Sequence, residues 1–179
     1  RAAGKFAYAN DLASSGASSG TSSGASSGAS SGASSDIASL RSAATSAARA
    51  SKHEVARALL KKLVTRKPWD LDARFEYGAA LWQTGDVANA QRQLEQVTAR
   101  KPDHLPARRV LVLIHSSRSD TSKLVAELEA IAVRAPMDLD VKGDLATAYG
   151  AIDQWGKAAA ALEQIAAAGD HSACLTDEE

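Results

Sequence analysis

The chain has 179 residues, of which 45% are hydrophobic, and its 21 Lys and Arg residues balance its 21 Asp and Glu residues. A net charge of zero argues against a general nucleic-acid footprint or an anionic membrane partner. Cys174 is the only cysteine, which excludes an internal disulfide, and no apolar run reaches the ~18 residues of a membrane-spanning helix. We therefore expect no nucleic-acid partner and no membrane insertion, and the cellular compartment stays open.

Residues 1–12, RAAGKFAYANDL, form a short segment that mixes apolar and charged groups. Phe6, Tyr8 and Leu12 supply apolar side chains, and Lys5 supplies a cation. A segment of this length is a marginal helix alone, but it can become ordered in a groove. We interpret residues 1–12 as a peptide that acts as a tethered ligand, with Lys5, Phe6, Tyr8 and Leu12 as its anchors.

Residues 13–35, ASSGASSGTSSGASSGASSGASS, repeat a four-residue unit of small and polar residues. Such a segment buries too little apolar area to offset its ordering entropy, so it is predicted to be a flexible linker. About 24 residues of this composition span roughly 25–30 Å. A deliberate linker that joins a peptide to its receptor and natural low-complexity slippage both remain open. Because the chain begins with Arg and not Met, we expect a processed or engineered fragment, such as a fusion.

The rest of the chain is patterned as amphipathic helices, because its apolar residues recur at intervals of three and four. These residues are Val55, Leu59, Leu60, Leu63 and Val64, then Leu94 and Val97, then Leu124, Leu128 and Ile131, then Leu162 and Ile165. The tripeptides RKP, RKP and RAP end at Pro68, Pro102 and Pro136, which lie 34 residues apart. A step of this length indicates a helical repeat architecture.

The stretch EYGAALWQTGDVANAQRQLEQVTARKPD resembles the tetratricopeptide repeat, in which a tight turn joins two antiparallel helices. The matching positions are Tyr77, Gly78, Leu81, Gly85, Asp86, Ala90, Leu94, Val97 and Pro102. Gly78 and Ala90 are small enough for two helix backbones to approach closely, and Gly85 suits a left-handed turn. The resemblance implies an all-α fold, a right-handed superhelical solenoid of antiparallel helix pairs.

The neighbouring repeats follow the same register with substitutions. In the third repeat Val112, His115, Ser119 and Leu124 replace the Gly, aromatic, Gly and Ala of the pattern, which predicts a wider helix crossing and a looser turn. In the fourth, Asp170 replaces the terminal proline, whereas the core pattern is kept by Leu145, Ala146, Tyr149, Trp155, Ala158, Leu162 and Ile165. We predict four repeats over residues 36–169.

Residues 170–179 are either a tail or the start of a further repeat. Thr176 precedes Glu179 by three residues, which is the spacing of a capping box. We therefore expect that the chain is part of a longer array.

No pattern in the chain predicts catalysis. The four histidines lack ligand-like spacing, and neither a nucleophile elbow nor a phosphate-binding loop is present. We expect no enzymatic activity, no cofactor and no metal.

The family resemblance also implies a concave groove lined by the first helix of each repeat. The groove positions in this sequence are Arg41, Thr45, Arg49, Asp72, Phe75, Glu76, Ala79, Trp82, Gln83, Arg109, Val110, Leu113, Ser116, Asp140, Asp144, Thr147 and Ala151. Chaperone-tail binders of this family hold a terminal carboxylate with Lys and Asn, but the corresponding residues here are Arg41, Thr45 and Glu76. We expect an apolar patch with Arg41 and Arg49 at one end and Asp140 and Asp144 at the other.

The resemblance predicts a scaffold that binds a protein or peptide segment in this groove. Two alternatives stay open. The repeats could be the docking or regulatory arm of a larger enzyme or of an envelope, secretion or biosynthesis assembly, or they could be an oligomerisation module. The sequence names neither the partner nor the oligomeric state.

Overall fold

A computed structural model describes residues 31–173 of the chain, with side chains described from residue 35 to residue 168. This part contains eight α-helices and no strand, which confirms the all-α prediction. The helices are α1 (Ser31–Arg49), α2 (His53–Arg66), α3 (Leu71–Gln83), α4 (Val87–Arg100), α5 (Leu105–Ser117), α6 (Thr121–Arg134), α7 (Leu139–Gly150) and α8 (Trp155–Ala173).

The helices repeat with the 34-residue step that the sequence predicts. The second helix of each pair begins at His53, Val87, Thr121 and Trp155, and the first helices α3, α5 and α7 begin at Leu71, Leu105 and Leu139. Four helix pairs, α1/α2, α3/α4, α5/α6 and α7/α8, therefore correspond to the four predicted repeats.

The prolines set the ends of the second helices. Helices α2, α4 and α6 have 14 residues each and end at Arg66, Arg100 and Arg134, two residues before a proline. A residue that precedes proline is disfavoured in helical conformation, so these helices stop there. Helix α8 lacks that proline and continues for 19 residues to Ala173, beyond the predicted repeat boundary at residue 169.

The predicted linker is wrong at its carboxyl-terminal end, because α1 already begins at Ser31. Its sequence, SGASSDIASLRSAATSAAR, is rich in alanine, the strongest helix former. Each residue added to an existing helix gains one hydrogen bond, so the packed helix extends toward the amino terminus. The earlier linker residues and the peptide at residues 1–12 lie outside the described part of the chain.

The turn inside each repeat has one residue with a positive φ, and these residues also lie 34 apart. They are Ser51 (55°), Gly85 (83°), Ser119 (58°) and Asp153 (59°). The prediction of a looser turn in the third repeat is wrong. The closing hydrogen bond from Asp120 N–H to the His115 carbonyl is 3.0 Å, against 2.9 Å for Asp86 N–H to Leu81. The hydrogen-bonded turn therefore persists although serine replaces glycine.

The helices form two compact units, one ending at Arg100 and one beginning at Lys101. In the first unit, the predicted close helix crossing is confirmed, because a Cβ atom built on Gly78 would lie 2.9 Å from Cγ of Leu94. Ala90 and Leu94 are both fully buried. A second cluster in this unit consists of Ala44, Ala47, Ala56, Leu60, Leu63, Ala73 and Ala80, with Tyr77 packed against it.

The second unit has its own core, formed by Val125, Leu128, Ile131, Val141, Leu145, Ala148, Tyr149 and Ala158. Two residues that fit the family's core pattern are exposed instead: Trp155 by 65% and Leu162 by 55%. Both belong to α8, whose main packing partner within residues 31–173 is α7. The side of α8 that carries these residues is therefore open to solvent.

Candidate peptide-binding surface

In the first unit, the groove prediction begins with three residues of α1. The Nη2 atom of Arg41 donates to Oδ2 of Asp70 over 2.6 Å, so Arg41 is not a free cation. Thr45 is exposed, and its hydroxyl donates to the Arg41 carbonyl at 3.0 Å. Arg49 is exposed at the end of α1. The predicted basic end of the surface is therefore reduced to Arg49, because Asp70 neutralises Arg41.

Helix α3 adds an acidic edge to this surface. Asp70 caps the helix by accepting from the Ala73 N–H at 3.0 Å, which satisfies one of the free amides of the first turn. Asp72 is exposed and Glu76 is half-buried. Burial raises the pKa of Glu76, and the negative charges of Asp70 and Asp72 raise it further, although Arg41 opposes them.

The apolar part of the α3 surface consists of Phe75, Ala79 and Trp82, all of which are half-buried. By contrast, Gly78 and Leu81 of the same helix are buried. Phe75 and Trp82 lie seven residues apart and so fall on one side of the helix. Gln83, the last predicted position of α3, is exposed. Trp82 therefore retains part of its surface for contact with another molecule.

In the second unit, α5 differs from the prediction at one residue. Arg109 donates to Asp138 over 2.7 Å, which repeats the Arg41 arrangement. Leu113 is half-buried and Ser116 is exposed. Val110 was expected to line the groove, but only 4% of its surface is accessible. This part of the prediction is wrong, because an apolar side chain on this face of α5 is removed from solvent.

Helix α7 carries the acidic residues of the second unit. Asp138 caps the helix by accepting from the Val141 N–H at 3.2 Å. Asp140 and Asp144 are exposed, and Thr147 is exposed with its hydroxyl donating to the Gly143 carbonyl at 3.0 Å. Desolvation raises the pKa of Asp144, and the charges of Asp140 and Asp138 add to that rise. Ala151, just after α7, is also exposed.

The sequence analysis missed Asp70 and Asp138, which hold the predicted groove arginines. A signal for them was present, since each follows a proline by two residues and precedes a helix. An aspartate in that place is typical of a helix N-cap. The partner of a cap cannot be read from local pattern, however, because Arg41 and Arg109 lie 29 residues before their aspartates.

Two of the three histidines with described side chains, His104 and His115, have structural roles in and around α5. His104 caps α5, with its Nδ1 atom accepting from the Ala107 N–H at 3.1 Å. His115 is buried in α5, 3.8 Å from the carboxylate of Asp120. Among the described residues, no group of three His, Cys, Asp or Glu side chains is arranged to hold a metal ion.

Within residues 31–173, no helix has the length and apolar character needed to cross a bilayer.

Comparison with known proteins agrees with this architecture. Residues 47–111 match the family model of the tetratricopeptide repeat. No curated protein sequence matches the chain significantly.

Solved structures of MamA share the fold. MamA 41-end from Desulfovibrio magneticus RS-1 is 22% identical, with a TM-score of 0.66 and 73% of each chain covered. A crystal structure of MamA is 17% identical, with a TM-score of 0.68, and covers 76% of this chain and 80% of its own. MamA AMB-1 is 23% identical, with a TM-score of 0.64 and coverages of 72% and 70%. Residues 47–111 thus match the tetratricopeptide repeat, and the described part of the chain shares the all-α helical-repeat fold of the MamA structures.

Proposed function

We propose that this chain is a non-catalytic interaction scaffold whose first-helix surfaces bind a partner peptide that carries basic and aromatic side chains. The tetratricopeptide repeat is a protein-interaction fold, which supports the general function. The observation that carries the finer proposal is an acidic trio at the same repeat positions in both units. The trios are Asp70, Asp72 and Glu76 in the first unit and Asp138, Asp140 and Asp144 in the second.

In each trio one carboxylate forms an ion pair with an arginine, and the other two form no ion pair with the described side chains. Asp70 and Asp138 are paired with arginines, at 2.6 and 2.7 Å. The raised pKa of Asp144 has no cation among its causes, and burial is the largest cause of the raised pKa of Glu76. A Lys or Arg side chain of a partner would stabilise the ionised form of both groups. The half-buried Phe75 and Trp82 would contact the aromatic residues of such a partner.

Residues 1–12 have this chemistry. Arg1 and Lys5 are cations, and Phe6 and Tyr8 are aromatic. Attachment to the same chain gives an effective concentration near millimolar, which would saturate a site of micromolar affinity. We therefore propose that this peptide occupies the first-helix surface of its own chain or of a neighbouring copy.

Hydrogen exchange tests the proposal. We compare the full chain with a chain that lacks residues 1–30, and with a full-length control in which Phe6 and Tyr8 are both replaced by Ser. Amides of residues 75–83 in the first unit are expected to exchange faster in both altered proteins, because the bound peptide protects them. Equal exchange in all three proteins would show that residues 1–12 do not occupy the surface.

A further inference from the structure

In the second repeat, an arginine of the first helix fills the crevice between the two helices of the repeat. The Nη1 atom of Arg74 donates to Oε1 of Gln93 at 2.8 Å and also to Gln96. Its Nη2 atom donates to the Pro68 carbonyl at 2.7 Å. One guanidinium thus connects α3, α4 and the turn that precedes α3.

The third repeat contains the same arrangement 34 residues later. The Nε atom of Arg108 donates to the Pro102 carbonyl at 2.9 Å, and Nη1 donates to Oε2 of Glu127 at 2.6 Å. The side chains of Arg108 and Glu127 are only 13% and 19% exposed. An arginine therefore fills the space between the two helices in both the second and the third repeat, although its partners differ.

The fourth repeat lacks this arrangement. Lys142 stands at the arginine position, and Ala161 stands where the earlier repeats have Gln93 and Glu127. Within the part of the chain whose side chains are described, the ammonium of Lys142 has no hydrogen bond or ion pair. Here the helices leave an open cleft of about 520 Å³, whose lining includes Val133, Pro136, Lys142, Leu145, Ala160 and Ala161.

Among the charged side chains that line the cleft, Lys142 has no partner of opposite charge. The Tyr149 hydroxyl donates to Oε1 of Glu129 at 2.6 Å, and the Lys157 ammonium lies 3.7 Å from the same oxygen. Lys157 also lies 5.2 Å from the centre of the Tyr149 ring. Glu129 is thus already occupied by two partners, whereas Lys142 has none. Val133 is 78% exposed, so an apolar surface adjoins this cation.

We propose that the cleft between α6, α7 and α8 binds a protein segment that presents an Asp or Glu carboxylate next to an apolar side chain. The carboxylate would pair with Lys142 as Glu127 pairs with Arg108. The apolar side chain would cover the exposed Val133 and Ala160. This site takes an acidic segment and does not depend on the first-helix surfaces, which favour a basic one.

Peptide selection tests this site on the full chain. A phage-displayed library of random 12-residue peptides is selected on the wild-type chain and depleted on the variant Ala161→Glu, which supplies Lys142 with an internal partner. The surviving peptides are expected to carry Asp or Glu beside Leu, Ile or Phe. Their affinities are then measured by fluorescence anisotropy for the wild type, Lys142→Gln and Lys123→Gln. Lys123 is an exposed lysine of α6 outside the cleft, so it is a matched control for loss of one charge.

We expect Lys142→Gln to weaken binding about tenfold or more and Lys123→Gln to leave it within about twofold, since a charge-assisted contact is lost only in the first. Selected peptides that lack acidic residues would overturn the proposal. Peptides that bind Lys142→Gln and Lys123→Gln with equal affinity would also overturn it. The cleft could instead be occupied by a second copy of this chain, which sedimentation of the wild type and Ala161→Glu tests. If the wild type is a dimer and Ala161→Glu dissociates it, the proposal is overturned in favour of that second copy. Because Ala161 is buried, a variant that fails to fold is recognised from its melting curve, and Lys142→Gln then decides alone.

Discussion

Arg109 donates a 2.7 Å hydrogen bond to Asp138, the residue that caps α7, and so connects α5 to the start of the next first helix. The same relationship joins Arg41 to Asp70 in the first unit, 68 residues earlier. At the positions between them in the sequence, Phe75 replaces the arginine and a histidine replaces the aspartate. The first helices of the second and fourth repeats are thus each capped by an aspartate that pairs with an arginine. The first helix of the third repeat has neither the aspartate nor the arginine.

This arrangement predicts separate contributions from the cap and the ion pair. Asp138→Ala removes both and is expected to lower the free energy of unfolding by about 1–2 kcal/mol. Asp138→Asn keeps an acceptor for the Val141 amide and is expected to lower it by less. Chemical denaturation measures both, with the exposed Asp140→Ala as a control expected within about 0.5 kcal/mol of wild type. Equal losses for Asn and Ala at position 138 would contradict a capping contribution.

The close approach at Gly78 predicts the most damaging substitution in the first unit. A Cβ atom there would lie 2.9 Å from Cγ and 3.0 Å from Cδ2 of Leu94, which is fully buried and cannot move freely. Gly78→Leu is expected to destabilise by roughly 1–3 kcal/mol or more through overpacking, and Ala90→Leu similarly. Urea melts measure the change.

Gly143→Ala is the matched control for Gly78. Nothing lies within 4 Å of a Cβ atom at this residue of α7, so alanine should stabilise the helix by about 0.5–1 kcal/mol. A neutral Gly78→Leu variant would mean that the two helices of the second repeat do not need this close contact.

Placing glycine at a turn residue with a positive φ is expected to stabilise the protein. Ser119 has a φ of 58°, a conformation that is costly for a residue with a Cβ atom and free of that cost for glycine. Ser119→Gly is therefore expected to raise the free energy of unfolding by about 1 kcal/mol, reduced by the extra entropy of glycine in the unfolded chain. Gly85→Ala, at a φ of 83°, is the reciprocal change and should destabilise. The idea fails if both variants shift the melting temperature in the same direction.

The helix pairs were predictable from sequence because local rules determine them. Apolar spacing indicates the helices, and the prolines at 34-residue intervals indicate where α2, α4 and α6 end. The beginning of α1 was not predictable, since an Ala/Ser/Gly segment is helical only when it extends a helix that packs on its neighbour. Turn geometry in the third repeat was also misjudged, because backbone hydrogen bonds from Ser119 and Asp120 close the turn although a positive φ is unfavourable for serine.

Replacing the half-buried Glu76 with glutamine is expected to stabilise the protein by an amount that depends on pH. Burial raises the pKa of Glu76 above its usual range, so the fold disfavours its charged form and the residue opposes folding at neutral pH. As the pH falls through the raised value, the folded chain takes up the proton first and the penalty disappears. Glu76→Gln should therefore be more stable than wild type at pH 7, and the difference should vanish once the pH is below the unfolded value. Denaturation curves across this pH range would contradict the prediction if the difference grew toward acid.

The binding surface was predicted less well than the fold, for reasons that particular residues show. Family register placed Phe75, Ala79 and Trp82 on a partly accessible face, but it also placed Val110 there, and that side chain is buried. Charge was misjudged at Arg41, which was expected to give the surface a basic end, because a position in the repeat does not reveal a carboxylate 29 residues later. The pairing of Arg109 with Asp138 was missed for the same reason. Long-range pairs of this kind require coordinates.

Trp82 gives the most direct test of the first-helix surface of the first unit. If its accessible face anchors the peptide of residues 1–12, Trp82→Ala should weaken binding by about 2 kcal/mol, roughly 30-fold. Isothermal titration of a synthetic peptide of residues 1–12 into a chain lacking residues 1–30 measures the affinity. Trp69→Ala is the matched control, because Trp69 is 69% exposed in the turn before α3 and should leave the affinity unchanged. Melting curves of both variants separate binding from folding, since an anchor at a half-buried position should cost less stability than Gly78→Leu. A large fall in melting temperature with unchanged affinity would instead assign Trp82 to the core of the second repeat.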